Sequence, residues 1–297
     1  MKSITLPARA KLNLTLDILR KRPDGYHDLQ MVMQTVSLHD DVTVALTEGE
    51  GVLCRCGDIP GDESNLAVKA ARAFFAETGI APRGLDIDIT KRIPAQAGMA
   101  GGSADGAAVL RALQTLLIPE LANAELERIG ALVGSDVPYC VRGGTRLATG
   151  RGEILRDAPP LPDCGIAICK PEFSIRTPEL FARIDARRSA VHPDTEALWG
   201  ALAAGDLPGA ALRMYNVFED VLPPRCGEIY ELKTELLSLG ALCAVMTGTG
   251  SAVFGIFPDL PAAQAAADAM KSDARECFSA VPTAGATGMD PAGPRIP

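Results

Sequence analysis

The chain has 297 residues, of which 47% are hydrophobic and 22% charged, and its 37 acidic and 29 basic side chains give a formal net charge of −8. This length predicts about two domains of roughly 150 residues each, and the apolar content excludes an intrinsically disordered chain. The acidic balance excludes a general nucleic-acid-binding protein, which needs lysine and arginine to neutralise phosphates.

The N-terminal segment predicts a strand with one polar and one apolar face. Four polar side chains alternate with four aliphatic ones: Lys11, Asn13, Thr15 and Asp17 with Leu12, Leu14, Leu16 and Ile18. A period of two is typical of a strand. Residues 22–25 predict a turn, and strands are expected near residues 29–37 and 41–47. No apolar core of a secretory signal precedes the first strand, so we expect a cytoplasmic protein.

The next unit combines a strand, a loop of small residues and a helix. A helix is expected at 64–78, a strand at 85–90, and a second helix from Ser103 to about residue 117. Between the strand and the second helix, the small residues of 94–102 would let the backbone approach a phosphate, and a helix N-terminus offers free N–H groups. The loop lacks the lysine of a Walker A motif and the glycine spacing of a Rossmann fingerprint. Taken alone, it is either a phosphate-binding loop or a tight turn without a ligand.

A phosphate loop without its own lysine needs a cation from elsewhere, and Lys11 is a candidate. Asp136 is a second notable residue, because it lies between Gly134, which ends a helix expected at 123–133, and Pro138. A lysine and an aspartate near a hydroxyl group suit phosphoryl transfer. Considered singly, the sequence favours a solvated strand lysine for Lys11 and a turn or cap aspartate for Asp136.

The proline-rich segment 158–162 predicts the boundary between two domains, 1–158 and 159–297. Elements flank it in this order: strands near 139–148, 153–157 and 164–170, a helix from Thr177, helices near 194–204, 206–222, 225–239 and 260–271, and a strand near 275–281. The many glycines and prolines of residues 282–297 predict a loose tail.

Residues 236–257 carry no charge, but the run 247–251 (TGTGS) interrupts them. This pattern favours two buried strands around a glycine turn over a membrane span. The chain has eight cysteines without a CxxC pair and three histidines. These counts favour buried thiols over a disulfide framework or a zinc site.

Three motifs together resemble the GHMP kinase family: residues 7–14 (PARAKLNL), 94–105 (PAQAGMAGGSAD) and 246–254 (MTGTGSAVF). The resemblance implies an α+β fold of two domains, with the active site in the interdomain cleft. It also implies that ATP and Mg²⁺ serve the phosphorylation of an alcohol.

Three further segments are similar to family members that act on a cytidine diphosphate derivative of methylerythritol: residues 22–27 (RPDGYH), 134–139 (GSDVPY) and 174–181 (SIRTPELF). The resemblance implies phosphorylation of the 2-hydroxyl group, a tertiary alcohol, in non-mevalonate isoprenoid precursor synthesis. The expected partner is therefore a small molecule with a cytidine diphosphate moiety, and neither nucleic acid nor membrane. We expect a monomer or a weak homodimer.

The resemblance also implies roles for residues on the acceptor side. Asp136 would be the catalytic base, Lys11 would polarise the substrate hydroxyl, and Asn13 would hold the erythritol unit. Tyr26 and Phe181 would sandwich cytosine, which suits stacking of flat rings, and His27 would read the cytosine edge. Four residues of the third motif would close over the reaction centre: Gly248, Thr249, Gly250 and Ser251.

On the nucleotide side, the resemblance implies a cradle for the ATP phosphates made of six residues: Gly98, Met99, Ala100, Gly101, Gly102 and Ser103. The Ser103 hydroxyl would lie near Mg²⁺, and Asn65 and Lys91 would lie near adenine. Five residues depart from the family pattern, among them Met99, which replaces leucine, and Ala104, which replaces the second serine. Ala97 and Ala100 replace glycines, and alanine costs free energy at position 100 if that position needs a positive φ. Asp105 replaces the usual asparagine and brings a negative charge near phosphate.

Two alternative functions are a kinase of the same family acting on a mevalonate-type or amino-alcohol substrate, and a nucleotide-binding module without catalysis. The segment 24–27 disfavours the first, and Lys11 together with Asp136 disfavours the second. Without the resemblance, Tyr26 and Phe181 would be interpreted as core aromatics, His27 as a surface residue and Ser103 as an ordinary helix N-cap.

Overall fold

The computed structural model describes residues 2–187 and 191–286. Its strands are β1 (Ser3–Lys21), β2 (His27–Thr47), β3 (Val52–Arg55), β4 (Gly84–Thr90), β5 (Thr145–Gly150), β6 (Ile154–Asp157), β7 (Gly165–Pro171), β8 (Tyr215–Asn216), β9 (Cys243–Met246), β10 (Val253–Phe257) and β11 (Arg275–Ala280). Its α-helices are α1 (Leu66–Thr78), α2 (Gly101–Leu117), α3 (Asn123–Val133), α4 (Val137–Arg142), α5 (Thr177–Ala186), α6 (Thr195–Ala203), α7 (Leu207–Ala211), α8 (Glu228–Ser238) and α9 (Leu260–Met270). None of the helices in these described ranges is long and apolar enough to cross a membrane.

A seven-stranded sheet forms most of the first half of the molecule. Its main path runs β3-β4-β2-β1-β8, and β5 and β6 extend it from β2. Helices α1 to α4 pack together, and α2 packs on β1 and β2. The outer strand β8 comes from the second half of the chain and pairs with β1 in parallel, with Thr15 opposite Tyr215 and Leu16 opposite Asn216. A two-residue strand of the second half therefore completes the sheet of the first.

A four-stranded antiparallel sheet, in the order β11-β7-β10-β9, forms the second half. Helices α8 and α9 pack on it. Every residue of β7 and β10 is buried. A cluster of apolar side chains joins Leu12 and Leu14 of β1 with Ile166 and Ile168 of β7 and with Phe254 of β10. Leu12 and Leu14 of the predicted apolar face therefore pack against the second sheet, whereas Leu16 and Ile18 belong to the other core cluster.

Three predicted elements differ from the structure. The strand expected at 139–148 is wrong, because residues 137–142 form α4 and β5 begins at Thr145. The single helix expected at 206–222 is also wrong: α7, β8 and a 3₁₀ turn over 217–221 occupy this span. Helix α2 begins at Gly101 after Ala100, so Ser103 is not its N-cap.

The loose tail expected from residue 282 is wrong for residues 282–286, and residues 287–297 lie outside the described ranges. Pro282 forms a β-bridge with Val36, the N–H of Thr283 donates to the Thr35 carbonyl at 2.9 Å, and Ala286 is buried. The described part of this segment therefore packs on the first half. No observation tests the domain boundary at residue 158, which stays a prediction.

Candidate active site

Two pockets meet at the loop between β4 and α2. The larger, of about 930 Å³, is lined by Lys11, Asp136 and residues of the third motif. The smaller, of about 390 Å³, is lined by Asn65, Lys91 and the loop itself. Both pockets are lined by the same four residues of this segment: Gln96, Gly98, Ala100 and Ser103. A ligand in one pocket can therefore meet a ligand in the other across the loop.

The loop reaches the helix through three residues with left-handed backbone: Gln96 (φ 52°), Gly98 (φ 76°) and Ala100 (φ 58°). Position 100 does adopt a positive φ, which costs an alanine roughly 1–2 kcal/mol. The first N–H groups of the 17-residue helix α2 have no partner within the helix. With Gly101, Gly102 and Ser103 lining the smaller pocket, these groups form an anion-binding end of the kind that holds phosphates.

The third motif touches the loop directly through Thr247. Its hydroxyl accepts the N–H of Asn13 at 3.1 Å and donates to the Gly98 carbonyl at 3.3 Å. A Cβ atom at Gly98 would lie 2.1 Å from the Thr247 carbonyl oxygen, so only glycine fits there. The N–H of Ala252 also donates to the Ala97 carbonyl at 3.3 Å. The three motifs that carry the family resemblance are therefore hydrogen-bonded to one another.

The polar face of β1 is buried but lines the larger pocket. Lys11 is 4% exposed and Asn13 is fully buried, and the Lys11 Nζ donates to the Asn13 Oδ1 at 2.6 Å. The N–H of Lys11 donates to the Met99 carbonyl at 3.1 Å. This bond fixes the strand beside the phosphate-binding loop.

Asp136 lies in the same pocket at the start of α4. Its backbone is helical and its side chain caps no N–H group. The half-buried carboxylate has no hydrogen-bond or ion-pair partner among residues 2–187 and 191–286. The pocket therefore contains a cation, Lys11, which a hydrogen bond to Asn13 holds in place, and the carboxylate of Asp136, which is available to accept a proton.

Three rings, those of Tyr26, His27 and Phe181, also line the larger pocket. The rings of His27 and Phe181 stack with centroids 4.7 Å apart, and the His27 Nε2 is 2.8 Å from the Asp185 Oδ1. Hydrogen bonds from Lys21 and His27 lower the pKa of Asp185. Tyr26 is 56% exposed, and its ring lies under the Arg151 guanidinium.

These contacts modify the predicted cytosine sandwich. Tyr26 and Phe181 line the same pocket, but the ring that stacks on Phe181 here is His27. His27 is 8% exposed, which rules out the interpretation as an ordinary surface residue. The sandwich itself stays a prediction.

Asn65 and Lys91 line the smaller pocket, but both already have protein partners. The Asn65 Oδ1 caps α1 by accepting the N–H of Ala67 at 2.9 Å. The Lys91 Nζ donates to Asp40 and, at 2.6 Å, to Asp105. Burial alone would lower the pKa of Lys91, but the two carboxylates outweigh it and raise that pKa.

Asp105 is 3% exposed, and one of its oxygens, Oδ1, is buried without a hydrogen-bond partner in the part of the chain that the structure describes. Burial raises the pKa of Asp105 to about 7, and the nearby Asp40 adds to the rise, while Lys91 opposes it. The positive charge of Lys91 is therefore compensated by the carboxylates of Asp40 and Asp105, and Lys91 does not present a free cation to phosphate.

The third motif lines the larger pocket through Gly248, Thr249 and Gly250. The Thr249 hydroxyl is 2.9 Å from that of Thr177. Ser251 does not line this pocket: it is fully buried, and its hydroxyl donates to the Phe173 carbonyl at 2.6 Å. In this structure the Ser251 hydroxyl therefore holds the loop, and its predicted contact with substrate stays a prediction.

Residue-level reasoning missed Gln96, Arg151 and Arg176, which also line the larger pocket. Gln96 and Arg176 lie inside two segments that carry the family resemblance. That position in the sequence was the signal that could have identified them as site residues. Arg151 follows a glycine in a turn, a pattern too common to indicate a site.

Two family models match this chain. The GHMP kinases N terminal domain matches residues 65–144, and the GHMP kinases C terminal model matches residues 199–276. Together they span more than half of the chain. The chain belongs to the GHMP kinases. This confirms both the predicted family and its α+β fold of two domains, with the larger pocket in the cleft between them.

This GHMP kinase is similar to relatives over almost its whole length. A Clostridium kluyveri protein named 4-diphosphocytidyl-2-C-methyl-D-erythritol kinase is 39% identical over 274 residues, which cover 92% of this chain and 98% of that protein. A protein of the same name from Acetivibrio thermocellus is 40% identical over 280 residues, which cover 94% and 98%. A crystal structure of 4-(cytidine 5'-diphospho)-2C-methyl-D-erythritol kinase superposes with a TM-score of 0.81 at 30% identity, covering 94% of this chain and 99% of that one.

Proposed function

We propose that this GHMP kinase transfers the γ-phosphoryl group of ATP to the 2-hydroxyl of 4-diphosphocytidyl-2-C-methyl-D-erythritol, a step of non-mevalonate isoprenoid precursor synthesis. The observation that carries this proposal is the larger pocket, which holds Lys11 and Asp136 in one part and the rings of Tyr26, His27 and Phe181 in another. The relatives of about 40% identity that bear this kinase's name support the choice of substrate.

ATP occupies the smaller pocket in this proposal, with its phosphates on the loop. The N–H groups at the start of α2 receive the phosphates, and the junction of the two pockets brings the γ-phosphate towards the acceptor. Asn65 and Lys91 line the base end of the pocket. Because Lys91 is neutralised by Asp40 and Asp105, we assign it to shaping the pocket near adenine.

The transfer step uses Asp136 and Lys11. The substrate hydroxyl oxygen attacks the γ-phosphorus and forms the new O–P bond. The bond from the γ-phosphorus to the bridging oxygen breaks, and its electron pair leaves with ADP. The hydroxyl proton passes to the Asp136 carboxylate, while Lys11 stabilises negative charge on the attacking oxygen.

Mg²⁺ fits the site through the Ser103 hydroxyl. That hydroxyl lines both pockets and has no hydrogen-bond partner within the described ranges. No group of three or more His, Cys, Asp or Glu side chains in those ranges is arranged to hold a metal ion. A single protein hydroxyl beside the phosphate-binding loop suits Mg²⁺, which binds to few protein groups and to substrate phosphates. When bound, the ion would neutralise charge on the transferring phosphoryl group.

The substrate's cytosine binds among Tyr26, His27 and Phe181, and its erythritol unit near Asn13, in this proposal. Because His27 and Phe181 already stack, a flat base can extend the stack or displace the imidazole ring. Gly248, Thr249 and Gly250 line the pocket between these parts.

The test is a coupled ADP-release assay with three acceptors: 4-diphosphocytidyl-2-C-methyl-D-erythritol, mevalonate and homoserine. We expect turnover with the first only, and a mock purification controls for host kinases. Clear turnover with mevalonate or homoserine, and none with the first, would overturn the assignment. Binding of ATP in a direct titration, with no ADP release in the presence of any of the three acceptors, would favour a nucleotide-binding module without catalysis.

A further inference from the structure

A buried asparagine outside both pockets holds the third motif in place. Asn216 lies on β8 and is fully buried. Its Nδ2 donates to the Met246 carbonyl at 2.7 Å and to the Gly248 carbonyl at 2.8 Å. Its Oδ1 accepts the N–H of Phe218 at 3.0 Å. The side-chain amide of Asn216 therefore donates hydrogen bonds to the main chain on both sides of Thr247.

Glu219 supplies a second hold on the same segment. Its Oε1 accepts the N–H of Met246 at 2.8 Å, and its other oxygen pairs with Lys233. It is 6% exposed. We call Asn216 and Glu219 the brace, because together they bind both main-chain polar groups of Met246 and the carbonyl of Gly248.

The brace holds the main chain next to Thr247, the residue whose hydroxyl joins the third motif to the first and second motifs. The Thr247 hydroxyl bridges Asn13 and Gly98. Backbones are so close here that a Cβ atom at Gly248 would lie 2.8 Å from the Gly98 carbonyl oxygen. A shift of the third motif towards the phosphate-binding loop is therefore blocked, and a shift away breaks both hydrogen bonds of Thr247.

The brace also connects this segment to the strand that carries Lys11. Asn216 is paired with Leu16 of β1, and Lys11 and Asn13 lie earlier on that strand. One buried side chain thus holds the third motif relative to both the lysine strand and the phosphate-binding loop.

We propose that Asn216 is a positioning residue for phosphoryl transfer, which sets the third motif against the phosphate-binding loop without touching either substrate. This inference rests on the proposed function. Loss of its two donors should misplace Gly248 and Thr249 in the assembled complex more than it weakens binding of either substrate. Because a misplacement of about 1 Å can lower a rate about 10²-fold, kcat should fall while both KM values stay close to those of the wild type.

The test compares Asn216→Asp, Asn216→Ala and the control Tyr215→Phe. The aspartate keeps an acceptor for Phe218 but loses both donors, and alanine loses all three bonds. Tyr215 is the neighbouring residue of β8, and its hydroxyl donates to the Asp220 side chain at 2.5 Å and not to the main chain of the third motif. Rates are divided by the concentration of folded enzyme, which is measured by titration with a fluorescent ATP analogue.

We expect both Asn216 variants to lose about 10²-fold in kcat, with each KM within about threefold of the wild type. Tyr215→Phe should keep its kcat even if its melting temperature falls. Wild-type kcat in folded Asn216 variants would overturn the inference. Failure of both variants to fold, beside a folded Tyr215→Phe, would also overturn it, because Asn216 would then belong to the folding core. A wild-type enzyme that uses another acceptor would overturn the proposed substrate, and the same variants assayed with that acceptor would still decide the role of Asn216.

Discussion

Replacing Asp105 by asparagine should stabilise this kinase at alkaline pH and leave it little changed at acid pH. The carboxylate of this α2 residue is buried beside Lys91, and one of its oxygens has no hydrogen-bond partner among residues 2–187 and 191–286. Asparagine has nearly the same shape and no charge. Its amide oxygen can still accept from Lys91, which keeps Asp40 as its ion-pair partner.

The magnitude follows from the pKa of Asp105, which burial raises from 3.8 to about 7. Between these values the folded protein binds more protons at this site than the unfolded chain, so the free energy of unfolding falls as pH rises. The full shift corresponds to a cost of at most about 4 kcal/mol above pH 7. An unpaired amide N–H in the variant costs about 1–3 kcal/mol, so we expect a net gain of about 1–3 kcal/mol.

The assay is urea unfolding at about pH 5.5, 7 and 8.5. The gain in unfolding free energy for Asp105→Asn over the wild type should grow by about 2 kcal/mol from pH 5.5 to 7 and then level off towards pH 8.5. Asp88→Asn is the control, because Asp88 has a side chain that is 54% exposed and pairs with Arg55, a kind of contact usually worth under about 1 kcal/mol. A difference that does not change with pH, or a variant less stable at the highest pH, would refute the reasoning.

Three further predictions concern the site. Asp136→Asn should lower kcat by about 10²–10⁴-fold while the Kd for ATP stays unchanged in a direct titration; a near-normal kcat would remove Asp136 from its role. Phe181→Ala should raise the KM for the cytidine substrate, whereas Phe181→Tyr, which keeps a ring, should not; an equal KM in both variants would make Phe181 a packing residue only. Ala100→Gly relieves the left-handed alanine and should add about 0.5–1 kcal/mol of stability, or about 1–2 °C in melting temperature by calorimetry; a lower melting temperature would contradict the strain assigned to Ala100.

The first strand shows what residue patterns reveal and what they leave out. Its period of two predicts β1 and separates Leu12 from Lys11 and Asn13. It does not predict that the polar face is buried, with Lys11 at 4% and Asn13 at 0% exposure. This face is buried by the phosphate-binding loop and by Thr247, which lie far from β1 in the sequence. Local alternation carries no information on such long-range contacts.

The two wrong elements have local causes. Residues 137–141 form a short apolar run, and periodicity alone does not distinguish a buried strand from a buried helix of that length. Pro138 in the first turn was the available sign of a helix. In the span 206–222, Asn216 takes the N–H of Phe218 with its side chain, a local bond that competes with a continuous helix.

The sequence predicts those residues of the candidate site that lie in the motifs of the family resemblance. Lys11, Asp136 and the loop from Gly98 to Ser103 do lie around the joined pockets. Asn216 was not predictable, because its partners are main-chain carbonyls, and carbonyls leave no signature in the sequence.

The parallel pairing of β8 with β1 has a consequence for the order in which the chain folds. During synthesis, domains generally form from the N-terminus as they emerge. Here the edge of the first sheet at Leu16 stays open until residue 216 has been made. An N-terminal fragment cut at the predicted boundary would expose this edge, and exposed edges promote aggregation. The first sheet can therefore be completed only after the ribosome has made residues 215 and 216, because the second half of the chain supplies its outer strand, β8.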